Sequence, residues 1–375
     1  MVRFLSEFRN PELAANILNR IKAISKKPVS FMEVCGTHTV SISKNGLRSA
    51  VPDNIRLLSG PGCPVCVTAN SDIDRMIAVA KQPDVILTSF GDMMKVPGSY
   101  SSLSKEKADG ADIRIVYSTR DALKMAEGNP EKKVVFFGVG FETTTPTVAM
   151  SVIEARSRNI KNYSVLSVHK VVPPAMKALL DLGEVKLDGF ICPGHVSVVI
   201  GTEPYEFIAR DYHVPCVVTG FEPLDVLEGI LMLVQQAEKG EAKVENAYTR
   251  LVTREGNKLA VGAMNKVFEP CDADWRGIGV IPGSGQKLRA EYADFDASIL
   301  YADVEVPPVK QHKGCRCGDV LRGVIYPYEC GLFGKTCLPE NPIGPCMVSG
   351  EGSCAAYYRY DERPKTQDPS SRKEA

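Results

Sequence analysis

The chain has no surplus of charge: 45 Lys and Arg stand against 45 Asp and Glu, giving a formal net charge of zero. Bulk electrostatics therefore offers no hold on nucleic acid or on an anionic membrane surface, and neither is expected as a partner. Long apolar runs are missing too. No stretch reaches the roughly 18 consecutive apolar residues of a spanning helix, and Met1-Val2-Arg3-Phe4-Leu5-Ser6-Glu7-Phe8-Arg9-Asn10 lacks the apolar core of a signal peptide. A soluble, cytoplasmic protein is the expectation. Tryptophan is reduced to Trp275. A dinucleotide fingerprint is absent as well: no Gly-x-Gly-x-x-Gly follows the first strands, and Gly283-Ser284-Gly285 lies outside any strand-helix-strand context. A dinucleotide-dependent enzyme is disfavoured on that ground.

Cysteine, by contrast, is plentiful, with 12 residues in a chain of 375. In a reducing compartment such thiols are more often metal ligands or redox groups than disulfides. Their placement is uneven. Cys35, Cys63 and Cys66 come early, Cys192, Cys216 and Cys271 are scattered, and six fall between Cys315 and Cys354.

The length suggests two or three domains. Pro11 to Ser25 has helical spacing, and nearly continuous apolar runs then alternate with helices. The runs are Val29 to Val34, Ile55 to Ser59, Val85 to Phe90, Ile113 to Tyr117, Val134 to Gly140, Val165 to Val168, Gly189 to Cys192 and Cys216 to Thr219. Such strands argue for parallel sheets covered on both faces. The expected fold is α/β, with two doubly wound parallel-sheet domains and a Cys-rich irregular iron–sulfur domain. The expected division is 30–140, 141–240, and 241–375 joined by the N-terminal helix within 1–29. After Gly240 the texture changes, from Val306 Pro, Gly and Cys dominate, and Glu362 to Ala375 reads as a polar disordered tail.

The motifs sit at the carboxyl ends of the expected strands: Cys35-Gly36-Thr37-His38, Gly60-Pro61-Gly62-Cys63-Pro64-Val65-Cys66, Gly140-Phe141-Glu142-Thr143-Thr144-Thr145-Pro146 and Pro193-Gly194-His195. In open α/β sheets ligands bind at that edge, so one shared cleft is expected. Cys63 and Cys66 can close a disulfide or grip a soft metal. Cys35 offers a soft anionic anchor for iron. His38 could ligate iron, act as a cation that lowers the pKa of the Cys35 thiol, or simply form hydrogen bonds. Glu142 and the threonines could hold an anion or cap a helix. His195 could donate a proton or act as a ligand, His169-Lys170 is a weaker candidate, and Asp92 could orient one of these groups. In the tail, Cys330, Cys337, Cys346 and Cys354 suit either zinc or a cluster, and their wide spacing favours [4Fe–4S]. Cys315 or Cys317 could replace one of the four.

Taken in order with Phe31-Met32-Glu33-Val34 before Cys35 and with Cys192 and Val196-Ser197 around the second histidine motif, these segments resemble the HypD family of hydrogenase maturation proteins. The resemblance implies three domains and a scaffold on which the Fe(CN)2CO unit of [NiFe] hydrogenases is put together. It implies iron bound at Cys35, a redox pair at Cys63 and Cys66, and a [4Fe–4S] cluster among the tail cysteines. The implied partners are a HypC-like chaperone, HypE as cyanide donor in work that needs HypF, and, indirectly, the hydrogenase large subunit. The competing reading is a cluster-fed thiol/disulfide oxidoreductase.

Overall fold

The structure, a computed structural model, describes residues 7–310 and 312–361, so the expected disordered tail from Glu362 lies outside the described residues. Its scaffold is two parallel sheets. One has five strands in the order β2-β1-β7-β8-β9, formed by β1 (Val29–Glu33), β2 (Ile55–Ser59), β7 (Gly189–Pro193), β8 (Cys216–Thr219) and β9 (Val244–Asn246). The other has four in the order β4-β3-β5-β6, formed by β3 (Val85–Ser89), β4 (Ile113–Ile115), β5 (Lys133–Gly138) and β6 (Tyr163–Ser167). Every residue of β1, β3 and β7 is buried, as parallel strands covered on both faces require.

The sheets do not follow the expected division at residue 140. Strands β1 and β2 pair with β7 and β8 rather than with β3 to β5, so the segments 30–140 and 141–240 each contribute to both sheets. The chain leaves the first sheet after β2, builds the second, and returns after β6. The Cys63–Cys66 loop lies on the outward crossing and His169-Lys170 on the return. The N-terminal helix Pro11–Ile24, capped by the Asn10 side chain on the Glu12 and Leu13 amides, also sits elsewhere than expected. It packs against the helix Pro223–Lys239 on the five-stranded sheet rather than joining the C-terminal part, because Ile21 closes the core over Phe31, Leu227 and Ile230.

One element has no counterpart in the sequence reading. Strands β10 (Phe268–Trp275) and β11 (Gly279–Leu288) form an antiparallel hairpin whose register breaks between Cys271 and Ala273. Trp275, wholly buried, stacks on Phe141 with ring centroids 5.8 Å apart and donates from Nε1 to Ser284 Oγ at 2.8 Å. Bridges from Trp275 to Thr68 and from Gly285 to Lys170 tie the hairpin to both crossings. The cysteine-rich tail then folds as short helices, Cys317–Leu321, Pro345–Val348 and Ser353–Tyr360, separated by turns. One apolar core runs through all of it, from Met32 and Leu58 through Leu87 and Phe137 to Trp275, Cys346 and Ala355.

Candidate functional site

The order β2-β1-β7-β8 reverses direction between β1 and β7, and an α/β sheet opens a ligand crevice at such a switch point. Cys35 follows β1 and His195 follows β7, so both stand at that point. Cys35 is the N-cap of the helix Gly36–Lys44, and its own amide is held by Glu33 Oε2 at 3.0 Å. Glu33 also accepts the Thr39 hydroxyl, and its burial raises its pKa to about 7. The loop after β2 crosses directly over this turn. Gly36 N donates to Gly62 O at 2.9 Å, and any side chain at Gly62 would strike the Cys35 backbone. From the tail, Glu351 Oε1 accepts the Thr37 hydroxyl at 2.7 Å, and a Cβ on Gly36 would lie 2.6 Å from Glu351 Cβ. Burial, with Glu351 adding to it, pushes the metal-free Cys35 thiol up to about 12. A bound metal cation would be needed to hold it as thiolate.

The two imidazoles flank Phe221, which follows β8. His195 lies 3.9 Å from that ring and His38 lies 4.6 Å from it on centroids. His195 is exposed, and desolvation against its neighbours lowers its pKa while Glu351 acts the other way. His38 is wholly buried, with Nε2 at 2.9 Å from Gly220 O, so that nitrogen carries the proton. Thr219 Oγ1 lies 2.8 Å from the same nitrogen. Nδ1 is left as a buried lone pair without a partner. Burial drops the His38 pKa to about 4, so it is neutral at physiological pH. Burial thus favours a neutral ring at His38 over a cation beside Cys35.

Cys63 is the N-cap of the short helix Pro64–Val67 and is buried, as is Cys66. The Cys66 sulfur lies 3.8 Å from Pro345 O and is in hydrogen-bonding contact with the thiols of Cys63 and Cys346. Burial and those two contacts raise its pKa. Cys346 in turn accepts from Cys317, Cys354 and Cys66, which lowers its own pKa. Cys315 Sγ and Cys317 Sγ are 3.2 Å apart. Sulfur thus follows sulfur from the Cys63 loop into the tail. Beyond Cys346, a small apolar cavity walled by Leu332, Phe333 and Met347 gathers Cys315, Cys317, Cys330, Cys337 and Cys354. Cys346 is not on its lining, but it touches Cys317 and Cys354, which are, as well as Cys66. All 12 cysteines are free thiols. Among the described residues no trio of His, Cys, Asp or Glu is set to hold a single metal ion. A four-iron cluster asks for something else, four thiolates spread round a cube, and an apolar cavity with five sulfurs on its wall meets that chemistry. Arg276, on the hairpin turn, donates to Thr68 O and Pro97 O and lies close enough to Cys66, Cys315, Cys317 and Cys346 to feel their charge.

The remaining sequence candidates belong to the other sheet. Glu142, after β5, accepts the Val172 amide through Oε1 at 2.9 Å and has no partner for Oε2, and burial raises its pKa to about 7. The Thr144 and Thr145 hydroxyls both donate to Phe141 O, so neither side chain caps the following helix. His169 is buried against Ser167, Lys170 is buried beside Asp72, and Asp92 is exposed on a turn. These groups do not join the crevice of Cys35. Sequence reasoning missed Glu33, Phe221, Arg276 and Glu351. Only Glu33 left a signal, a carboxylate inside an otherwise apolar strand.

Fold and site together define a two-sheet α/β protein in which a thiol at a switch point meets a dithiol loop and a cysteine-rich tail. The chain matches, over residues 12–361, the family described as HypD, hydrogenase formation hypA family. It is 47% identical over 369 residues to hydrogenase maturation factor HypD2 of Bradyrhizobium diazoefficiens, covering 96% of this chain and 97% of that one. Identity with hydrogenase maturation factor HypD of Escherichia coli is 45% over 372 residues, with 96% and 99% covered. A putative hydrogenase expression/formation protein of Methanocaldococcus jannaschii is 45% identical over 352 residues, with 93% and 97% covered. The chain belongs to the HypD family. No described helix is long and apolar enough to cross a membrane.

Proposed function

We propose that the chain serves hydrogenase maturation as the scaffold on which the Fe(CN)2CO unit is put together, working with a HypC-like chaperone and with HypE as cyanide donor. The observation that carries this reading is the meeting of two distant segments at the Cys35 turn, Gly62 on its backbone and Glu351 on the next two residues, with His195 at the end of the neighbouring strand. Iron is the cargo there, and the Cys35 thiolate is its anchor. His38 keeps the floor of the crevice rigid through Gly220, and its unprotonated Nδ1 is a neutral acceptor. His195 is the exposed proton donor for a cyanide nitrogen.

Cys63 and Cys66 hold two reducing equivalents: closing their S–S bond releases two electrons and two protons. Cys346, in contact with Cys66, links them to the tail. Cys315, Cys330, Cys337 and Cys354 would hold a [4Fe–4S] cluster, with Cys315 taking the place first given to Cys346. Such a cluster supplies electrons one at a time.

Anaerobic co-purification with the chaperone tests the anchor. Cys35→Ala should keep its far-ultraviolet spectrum and lose the infrared bands of iron-bound cyanide and carbon monoxide; bands unchanged in position and strength would sink the assignment. Metal analysis of the same sample should give about four irons and four sulfides per chain in addition to any cargo iron. Zinc alone would overturn the cluster. The sulfur-to-sulfur contact also supports a thiol/disulfide oxidoreductase, which steady turnover of a disulfide without any chaperone would favour.

A further inference from the structure

Val306 to Gly318 contains no carboxylate and carries Lys310, His312, Lys313 and Arg316. In a chain of zero formal net charge, this thirteen-residue stretch, bounded by Glu305 and Asp319, concentrates cations around Cys315. The strap bearing it is fastened to the body: Lys310 N donates to Ser99 Oγ at 2.8 Å, Asn70 donates to Lys310 O at 3.1 Å, and the Tyr100 hydroxyl donates to Pro308 O at 2.9 Å. Arg316 is paired with Asp319 at 2.6 Å. Lys310 and Lys313 are exposed and have no carboxylate partner among the described residues.

Beneath the strap lies a cleft of about 410 Å³ whose wall includes Arg276, Lys310, His312, Cys315, Cys317 and Gly344 and no Asp or Glu. Gly344 keeps it open, since a Cβ there would sit 2.5 Å from Cys317 Sγ and 2.6 Å from Cys315 Sγ. Of the four proposed ligands, Cys337 and Cys354 are buried, and Cys315 is the one this cleft reaches. Tyr100 and Val309, 56% and 50% exposed, place apolar surface beside the cations. A small apolar patch beside two unpaired lysines suits brief, steered encounters between redox proteins.

We propose that this basic rim is the docking surface for an acidic protein electron carrier, which delivers single electrons to the cysteine-bound centre beneath Cys315. The proposal rests on the iron–sulfur reading above. The step is an outer-sphere transfer: the carrier is oxidised by one electron, the centre is reduced by one, and no bond is made or broken. Arg276, held inside the cleft, offsets the negative charge that the centre gains.

The test uses the full chain purified anaerobically with its chromophore, reduced in a stopped-flow instrument by a reduced acidic [2Fe–2S] ferredoxin and, separately, by the methyl viologen radical cation. With ferredoxin the second-order rate should fall steeply as salt rises. Lys310→Glu with Lys313→Glu should cut the low-salt rate by roughly tenfold or more and flatten the salt dependence. The viologen rate should hold or rise, and the chromophore spectrum should stay the same. An unaltered ferredoxin rate in the double variant overturns the proposal. So does an equal loss in the remote exposed pair Lys124→Glu with Lys266→Glu, which would assign the effect to net charge. A chain without an iron–sulfur chromophore fails the underlying reading first and takes the proposal with it, whereas a viologen-reducible chromophore with no charge effect fails the proposal alone.

Discussion

At the scale of single residues the informative groups are those held against their ordinary chemistry. Glu142 is the clearest, because burial with one unpartnered oxygen moves its pKa from 4.5 to about 7. The folded chain keeps a proton that the unfolded chain gives up, so the stability tied to the neutral acid is present below pH 4.5 and lost as pH rises through about 7. Glu142→Gln stays neutral and can still accept the Val172 amide. Between pH 5 and 8 it should lose less stability than the parent, by on the order of 2–3 kcal/mol. Urea unfolding at both pH values measures this, and equal pH dependence in parent and variant would reject it. Cys35 and His38 carry the same lesson with other signs. The identity of each was legible in the sequence, but the charge state was not. Burial decided it, and burial is set by residues such as Phe221 and Glu351 that arrive from far along the chain.

At the scale of elements the parallel strands were readable because each is an apolar run long enough to be buried on both faces, and β2 and β8 match their sequence limits residue for residue. The β10–β11 hairpin was not. Its strands contain Pro270, Pro282, Gly283 and Gly285, the exposed Val280 and a register break, so the period-two pattern that marks a half-buried strand never forms. What holds the hairpin is Trp275, anchored by Phe141, Ser284 and the Thr68 bridge. Trp275→Ala should cost roughly 3–5 kcal/mol and open the hairpin to protease between Phe268 and Leu288. A variant with parental stability and parental cleavage would show that the ring anchors nothing. The tail was legible as cysteine chemistry, yet which of its sulfurs touch, Cys346 with Cys66, Cys317 and Cys354, appears only when its short helices are in place.

At the scale of the whole molecule, the two crossings and the continuous core predict that the sheets do not come apart separately. The apolar cluster contains residues of both sheets, the hairpin and the tail. Trp275 fluorescence, which reports the hairpin, and far-ultraviolet circular dichroism, which reports the helices and sheets, should therefore follow one denaturation curve. Separated midpoints would show independent units instead. By itself the sequence determined the parallel α/β architecture, the motif loops at strand ends and the concentration of thiols, because these depend on local apolar periodicity and on residue chemistry. Tertiary structure alone decided which strands share a sheet, that Cys35 and His195 follow the two strands that flank a switch point, and which sulfurs touch. Strand pairing and side-chain burial are contacts between residues tens to hundreds of positions apart, and no local pattern records them.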